Sequence, residues 1–528
     1  VAGWLALSGL CAGVTLAGTA DKSAPAPAPA AARGKELFAN HCAGCHGDKG
    51  DGNGRAAPFL YPRPRNFGEA KFRLATTANR QPTDQDLLAV ITRGMPGSAM
   101  FPFAHLPEAD RLALVAHVRQ LTRAGIEERV RQEAAKSGED VDADDLAKTI
   151  DRLTRPGRLV EIPADLPATG AESVARGQKL YQQSCAGCHG TTGKGDGQQD
   201  MRDDNGMPTR PRDFTRGIFK GGREVAQLYT RIRLGMPGTP MPASDNLKPP
   251  QVGDLVNYVL SLSGPGAAAP FEHRRTRLVA RRTTGPLPEG LAADAWQSAQ
   301  PVKVVVSPLW WRNYDPPDLQ VQALHDGRTL ALRLSWLDAT RNDAPVRPQD
   351  FEDMVAVQLF QGAVEPFLGM GAGPQAVDVW LWQAGAAVRA DVETVFPRLA
   401  VDYYPFAKGA GSRSAAAADQ PPGFLTARAA GNLRSDLVRP LPATSLQAKG
   451  PGTLTMRPRP SQLVGAQGRW QAGRWTVVFR RPLGAGGQPE MTLRPGERLS
   501  VAFAVWDGEA RDRNGQKMVS IWQDLQLE

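Results

Sequence analysis

Two pentapeptides carry residues that can do chemistry. Cys42-Ala43-Gly44-Cys45-His46 and Cys185-Ala186-Gly187-Cys188-His189 are identical, and together they use four of the five cysteines. Two thiols three residues apart share one helical turn and reach the two vinyl groups of one porphyrin. The histidine that follows presents its imidazole to the iron from the same side, so the spacing reads as covalent haem attachment. A zinc site needs more cysteines than the chain has, and a redox dithiol has no use for the histidine. The fifth cysteine, Cys11, lies in an apolar N-terminal run. With four cysteines committed in pairs, a secreted disulfide scaffold is excluded.

The pentapeptides sit inside a longer internal repeat. Ala32-Arg33-Gly34-Lys35-Glu36-Leu37-Phe38 returns as Ala175-Arg176-Gly177-Gln178-Lys179-Leu180-Tyr181. Arg63-Pro64-Arg65-Asn66-Phe67 returns as Arg210-Pro211-Arg212-Asp213-Phe214, and Gly94-Met95-Pro96-Gly97 as Gly235-Met236-Pro237-Gly238. Each copy closes with an amphipathic helix, Glu108–Leu121 and Pro250–Leu262, apolar at three- and four-residue intervals. The units cover 33–123 and 171–264.

These units resemble class I cytochrome c domains. In that family the sixth iron ligand is a methionine on the loop before the last helix, which implies Met100 and Met241. Met95 and Met236 occupy the same loops and compete for the role. His41, His105 and His117 have no histidine at the repeated positions (Ser184, Asn246 and Tyr258), which disfavours bis-histidine ligation. Histidine–methionine ligation leaves no open coordination site and raises the reduction potential, as suits an electron carrier; the alternative, a di-haem peroxidase-like enzyme, needs an open or displaceable site. The resemblance also implies that Pro64 and Pro211 lie near the histidine rings and that neighbouring arginines face the haem propionates.

The elements that must position these residues belong to a chain of 528 residues, enough for three or four domains. Apolar residues make up 41% and charged residues 22%, which is ordinary globular composition. A formal charge of +9 is modest for this length and forms no nucleic-acid stripe; it suits docking on acidic protein partners. Residues 1–20 carry no charge and read as an export signal or a membrane anchor, followed by an Ala/Pro linker at 21–32. Either reading places the chain in the periplasm. Between the units, 124–170 contains a charged stretch, Ile126–Leu153, expected as a solvated helix. The arginine-rich segment 265–289 is expected as a solvated linker.

From 290 to 528 the character changes. Ten of the eleven tryptophans lie here, from Trp296 to Trp522. Leu319–Leu324 alternates, turns at Asp326-Gly327 and resumes over Thr329–Leu334, which predicts a β-hairpin. Further strands are predicted at Val302–Val306, Met354–Phe360, Val377–Trp382, Trp475–Arg480 and Leu499–Trp506, and an exposed loop at 407–423. The expected fold class is therefore multidomain: two small all-α domains followed by an all-β, sandwich-like domain. Composition alone would make the last a docking or ligand-binding module.

Two segments of this domain resemble the haem-binding gamma subunit of ethylbenzene dehydrogenase and its relatives in selenate reductase, chlorate reductase and dimethyl sulfide dehydrogenase. One is Phe367-Leu368-Gly369-Met370-Gly371 leading into Val377-Asp378-Val379-Trp380-Leu381-Trp382. The other is Ala502-Phe503-Ala504-Val505-Trp506-Asp507-Gly508 with Asn514-Gly515-Gln516-Lys517-Met518. That family binds one noncovalent b-type haem through methionine and lysine, which implies Met370 and Lys517. His325, the only histidine of the domain, sits at the predicted hairpin turn and excludes bis-histidine ligation. Lysine is scarce here, with Lys303, Lys408, Lys449 and Lys517 among many arginines. The whole chain then reads as an exported electron-transfer protein with two c-type haems and one b-type haem and no catalytic residues of its own. The resemblance implies a molybdenum oxidoreductase of the dimethyl sulfoxide reductase type as its complex. An iron–sulfur subunit would lie on the b-haem side, and soluble or membrane cytochromes on the c-haem side.

Overall fold

The computed structural model describes residues 30–288, 291, 296–312, 316–345, 347, 349–386, 441, 443–484 and 491–528. The segment 1–20, most of the 21–32 linker and the 407–423 loop lie outside the described residues.

The first unit is built from α1 (Ala30–His41), α2 (Ala43–His46), α3 (Asp84–Arg93) and α4 (Glu108–Ser137), followed by α5 (Ala143–Thr154). The second repeats the plan with α6 (Ala171–Ser184), α7 (Ala186–His189), α8 (Val225–Leu234) and α9 (Pro249–Ser261). In each unit the first helix crosses the last at a glycine. A Cβ on Gly34 would collide with the Ala113 carbonyl, and one on Gly177 with the Asp254 carbonyl. The helix ends follow local chemistry. Thr83 caps α3 in a reciprocal box with Asp86, and Gly94 ends that helix at φ 72°. Asp142 caps α5 through the amides of Asp144 and Asp145.

Two expectations about linkers are corrected here. The stretch Ile126–Leu153 is not one solvated helix. Helix α4 runs unbroken from the first unit to Ser137, and α5 folds back on it, burying Ile126 with Ala70, Leu146 and Ile150. The apolar positions that allow this are spread thinly among charges, so the charge pattern hid them. The segment 265–289 is not a solvated linker either. It contains β1 (Arg277–Arg282), with Leu278 and Ala280 fully buried.

The remaining strands are β2 (Val302–Val304), β3 (Ser307–Pro308), β4 (Leu319–His325), β5 (Thr329–Leu337), β6 (Met354–Phe360), β7 (Val377–Gln383), β8 (Thr444–Ala448), β9 (Thr455–Met456), β10 (Gly465–Gln471), β11 (Arg474–Pro482), β12 (Arg498–Trp506), β13 (Met518–Val519) and β14 (Gln523–Leu527). Their order is β10-β11-β5-β4-β1-β14-β12-β6-β7-β8-β9. β1 joins two sheets: Arg277–Ala280 pair with β14, and Arg281 and Arg282 pair with β4. The sheets face each other across one core that contains Leu330, Leu332 and Leu334 of β5 and Val355, Val357 and Val505 of β6 and β12. This is the predicted sandwich, with the predicted hairpin turning at Gly327, φ 87°.

The β6–β7–β12 sheet is apolar on both faces. Its outward residues Ala356, Val379, Leu381, Ala502, Ala504 and Trp506 form a second cluster with Leu368 and Met370. Alternation puts small alanines on that outer face, and they leave a flat apolar floor.

Candidate haem sites

In the first unit, α1 ends at His41 and α2 restarts the helix within the pentapeptide. His46 N–H donates to the Cys42 carbonyl at 2.9 Å, which folds both thiols and the imidazole onto one turn. Cys42, Cys45, His46, Met95 and Met100 line one cavity of about 480 Å³, walled by Phe38, Leu87, Ile91 and Val118. Nδ1 of His46 donates to the Arg65 carbonyl at 3.0 Å, and the ring stacks on Phe67 with centroids 4.7 Å apart. A carbonyl can only accept, so Nδ1 carries the proton and Nε2 keeps its lone pair for a metal. Burial lowers the pKa of this histidine, which keeps it neutral. Burial pushes both thiols up to about 12, opposite to what a reactive dithiol or a zinc thiolate pair requires.

The second unit repeats this geometry. His189 stacks on Phe214, also at 4.7 Å and 20° between planes, although its buried Nδ1 has no hydrogen-bond partner among the described residues, unlike that of His46. Burial lowers the His189 pKa to about 4 and raises that of Cys185 to about 11. The methionine loops match as well. Met95 N–H donates to the Met100 carbonyl at 2.8 Å, and Met236 N–H to the Met241 carbonyl at 3.1 Å. Both methionines of the first loop reach the cavity wall, as do His41 and His105.

Cations collect where the two units meet. Arg212 Nη1 donates to the Gly97 carbonyl of the first unit at 3.2 Å, and the Arg65 guanidinium lies reciprocally against Gly238 of the second. Arg73 and Lys220, which occupy equivalent repeat positions, complete the group. Burial lowers the pKa of Arg73 and Arg212 to about 10 and that of Lys220 well below its ordinary value. Nε of Arg73 and Nε of Arg212 are buried without a hydrogen-bond partner among the described residues. Buried cations call for anions. The carboxylates of a porphyrin are the missing chemistry, so the residues fit the group that the cysteines would bind. The matched arginines and the Arg73/Lys220 pair were readable from the repeat; their convergence on one interface was not.

In the β domain, Met370 and Lys517 are 147 positions apart in the chain, yet Lys517 Nζ lies 4.0 Å from Met370 Sδ. Lys517 Nζ also stands 4.8 Å from the Trp506 ring centroid, over the apolar floor. Burial alone lowers its pKa to about 8. Met370 adopts φ 75°, a left-handed conformation rare for methionine, which aims its side chain from a tight loop. His325 is fully buried at the end of β4, where its Nδ1 accepts from Gly327 N–H at 3.2 Å.

His273, Arg275 and Phe367 were not foreseen as neighbours of the first unit's cavity, yet all three line it. His273 makes an edge contact with Phe101 at 5.0 Å and hydrogen-bonds Ser307 through Nε2 at 2.8 Å. No local pattern marked it, because its contacts come from distant parts of the chain.

Family models agree with this arrangement. A cytochrome c model matches residues 31–122 and 174–263, and an ethylbenzene dehydrogenase model matches 293–518. A Haloferax mediterranei protein described as a respiratory nitrate reductase haem subunit is 27% identical over 241 residues, 44% of this chain and 67% of that protein. The chlorate reductase gamma subunit of Ideonella dechloratans is 27% identical over 208 residues, covering 39% of this chain and 63% of that one. The dimethylsulfide dehydrogenase gamma subunit of Rhodovulum sulfidophilum is 26% identical over 224 residues, covering 42% and 65%. The chain thus spans about two-thirds of the length of these relatives. Residues 31–263 carry two cytochrome c domains, and residues 293–518 a domain of the ethylbenzene dehydrogenase family.

Proposed function

We propose that this chain is the three-haem electron-transfer subunit of a periplasmic molybdenum oxidoreductase. Cys42, Cys45, His46 and Met100 would hold one covalent haem c, and Cys185, Cys188, His189 and Met241 the other. Met370 and Lys517 would hold one noncovalent haem b. The single observation that carries the reading is the pair Met370–Lys517, one thioether and one amine 4.0 Å apart above an apolar sheet face. A haem bound there supplies one-electron chemistry, and the protein sets its potential and its access.

The chain's own residues divide the remaining work. Burial favours the unprotonated Lys517 amine, the only form that can donate to a metal. The thioethers of Met100, Met241 and Met370 favour reduced iron relative to histidine. With two protein donors committed to each iron, no position would be left for a substrate, and bond-making chemistry would belong to a partner. The relatives are named as parts of two reductases and one dehydrogenase. We take the direction of flow to be set by that partner, with an iron–sulfur subunit on the β side and soluble or membrane cytochromes on the other. Among the described residues no helix is long and apolar enough to cross a membrane.

Acid–acetone removes noncovalent haem and leaves thioether-linked haem behind. Fully loaded protein should release one haem per chain and retain two. An extract without haem would overturn the b-haem assignment and, with it, the main support for a molybdenum-enzyme complex.

A further inference from the structure

In the chain the second cytochrome unit directly precedes the β domain, yet the first unit is the one that meets the Met370–Lys517 site. The cavity holding Cys42, Cys45 and His46 is closed by Pro366, Phe367 and Leu368 of the Met370 loop and by Ile521 and Trp522, just beyond Lys517. The Phe367 ring lies between two glycines. One is Gly44, between the two haem-attaching cysteines, and the other is Gly369, beside Met370. A Cβ on either would collide with the ring.

The Lys517 loop is braced by the same unit. Phe59 packs against Gly515, two residues before Lys517. The backbone is continuous in hydrogen bonds across the junction. Tyr61 N–H donates to the Leu309 carbonyl at 2.9 Å, Trp311 N–H to the Tyr61 carbonyl at 3.0 Å, and Leu309 N–H to the Lys517 carbonyl at 2.9 Å. Both ligand loops of the β domain are thus shaped around the first unit.

The second unit touches the β domain through a different set of its own residues. Its Arg210 guanidinium stands 4.7 Å from the Trp311 ring centroid, and Asp213, Thr215 and Arg216 line a cleft with Lys303–Val306. Its Arg212 and its Met loop face the first unit, through Arg212 on Gly97 and Arg65 against Gly238.

We infer that the redox order in space is β domain, first unit, second unit, and that Phe367 is the positioning residue at the junction between the first two. Electron tunnelling falls off exponentially with separation, so the shared wall selects the first unit as the direct partner of the β domain. One electron moves per step and no bond forms or breaks. The second unit becomes the terminal station, the one left to meet an external redox protein. This order rests on the three-haem reading of the site.

The test is pulsed EPR on the full, oxidised chain, reading the spin relaxation of the b-haem signal, which a nearby paramagnetic haem accelerates. Removing the first c-haem with Cys42→Ala/Cys45→Ala should slow that relaxation several-fold. Removing the second with Cys185→Ala/Cys188→Ala should leave it unchanged. Either variant decides alone if the other fails to mature. A b-haem that responds to loss of the second c-haem and not the first overturns the order. A loaded chain with no b-haem signal overturns the three-haem reading, and the order falls with it.

Discussion

Lys517 can serve as a donor only as the neutral amine, and its burial above the sheet, at 4.0 Å from Met370 Sδ, brings its pKa down to about 8, so less free energy is needed to remove its proton. Arginine would keep its proton at such a site. Lys517→Arg should therefore lose the extractable haem as completely as Lys517→Ala, while both c-haems remain; retention of haem in Lys517→Arg would refute amine ligation. Titration matters elsewhere in the domain too. Burial, reinforced by neighbouring carboxylates, raises Asp338 to about 7 and Asp353 to about 6, above the ordinary 3.8. The folded chain then binds more protons than the unfolded chain between pH 3.8 and about 7, so stability falls as pH rises through that window. Asp338→Asn should flatten the fall and recover on the order of 1–2 kcal/mol near neutral pH. Melting midpoints measured from pH 4.5 to 7.5 would check this, and equal slopes in both proteins would reject it.

The helix crossings of the two cytochrome units depend on glycine because backbone meets backbone there. Gly177→Ala in the second unit must push α6 away from α9 and should cost roughly 1–3 kcal/mol, the usual range for overpacking. The same change at Gly264, where an added Cβ meets nothing within 4 Å, is the control and should leave the melt unchanged. Helix α5 offers a second test. Its attachment rests on a small core centred on Ile126 and Ile150. Ile126→Ala should weaken it by about 2–4 kcal/mol. Limited proteolysis should then cut between 138 and 156 well before the rest of the protein melts. If the cleavage rate stayed that of the parent, the packing of α5 would not be what protects this segment.

On the proposed reading, a bound porphyrin would complete the chemistry at the boundary between the two cytochrome units. Arg65, Arg73, Arg212 and Lys220 converge at the boundary between the cytochrome units, and none forms an ion pair among the described residues. A buried charge without its partner is costly, and the same charge with its partner can be neutral or favourable. Lys220→Met should therefore raise the melting midpoint of haem-free protein and lower that of the loaded protein. Shifts of the same sign in both forms would mean that this lysine faces no haem carboxylate. Across the other boundary, shared loops and backbone hydrogen bonds tie the first unit to the β domain, so the molecule is ordered differently in space and in sequence.

What was legible from residues alone was local. Cys-x-x-Cys-His works within five residues, and its copy fixed the equivalent arginines and methionine loops. The 319–334 hairpin turns where Asp326-Gly327 permits. Resemblance supplied Met370 and Lys517, since no local rule relates residues 147 positions apart. The tertiary structure decided the rest. It turned the arginine-rich 277–282 into a central strand, because its partners lie at 319–325 and 523–527 and only their pairing buries Leu278 and Ala280. It folded a charged stretch back as α5 for the same reason. It also chose which cytochrome unit meets the β domain. Covalent attachment and turn geometry depend on neighbours in the chain, whereas burial and domain contact depend on surfaces that exist only once distant segments have packed.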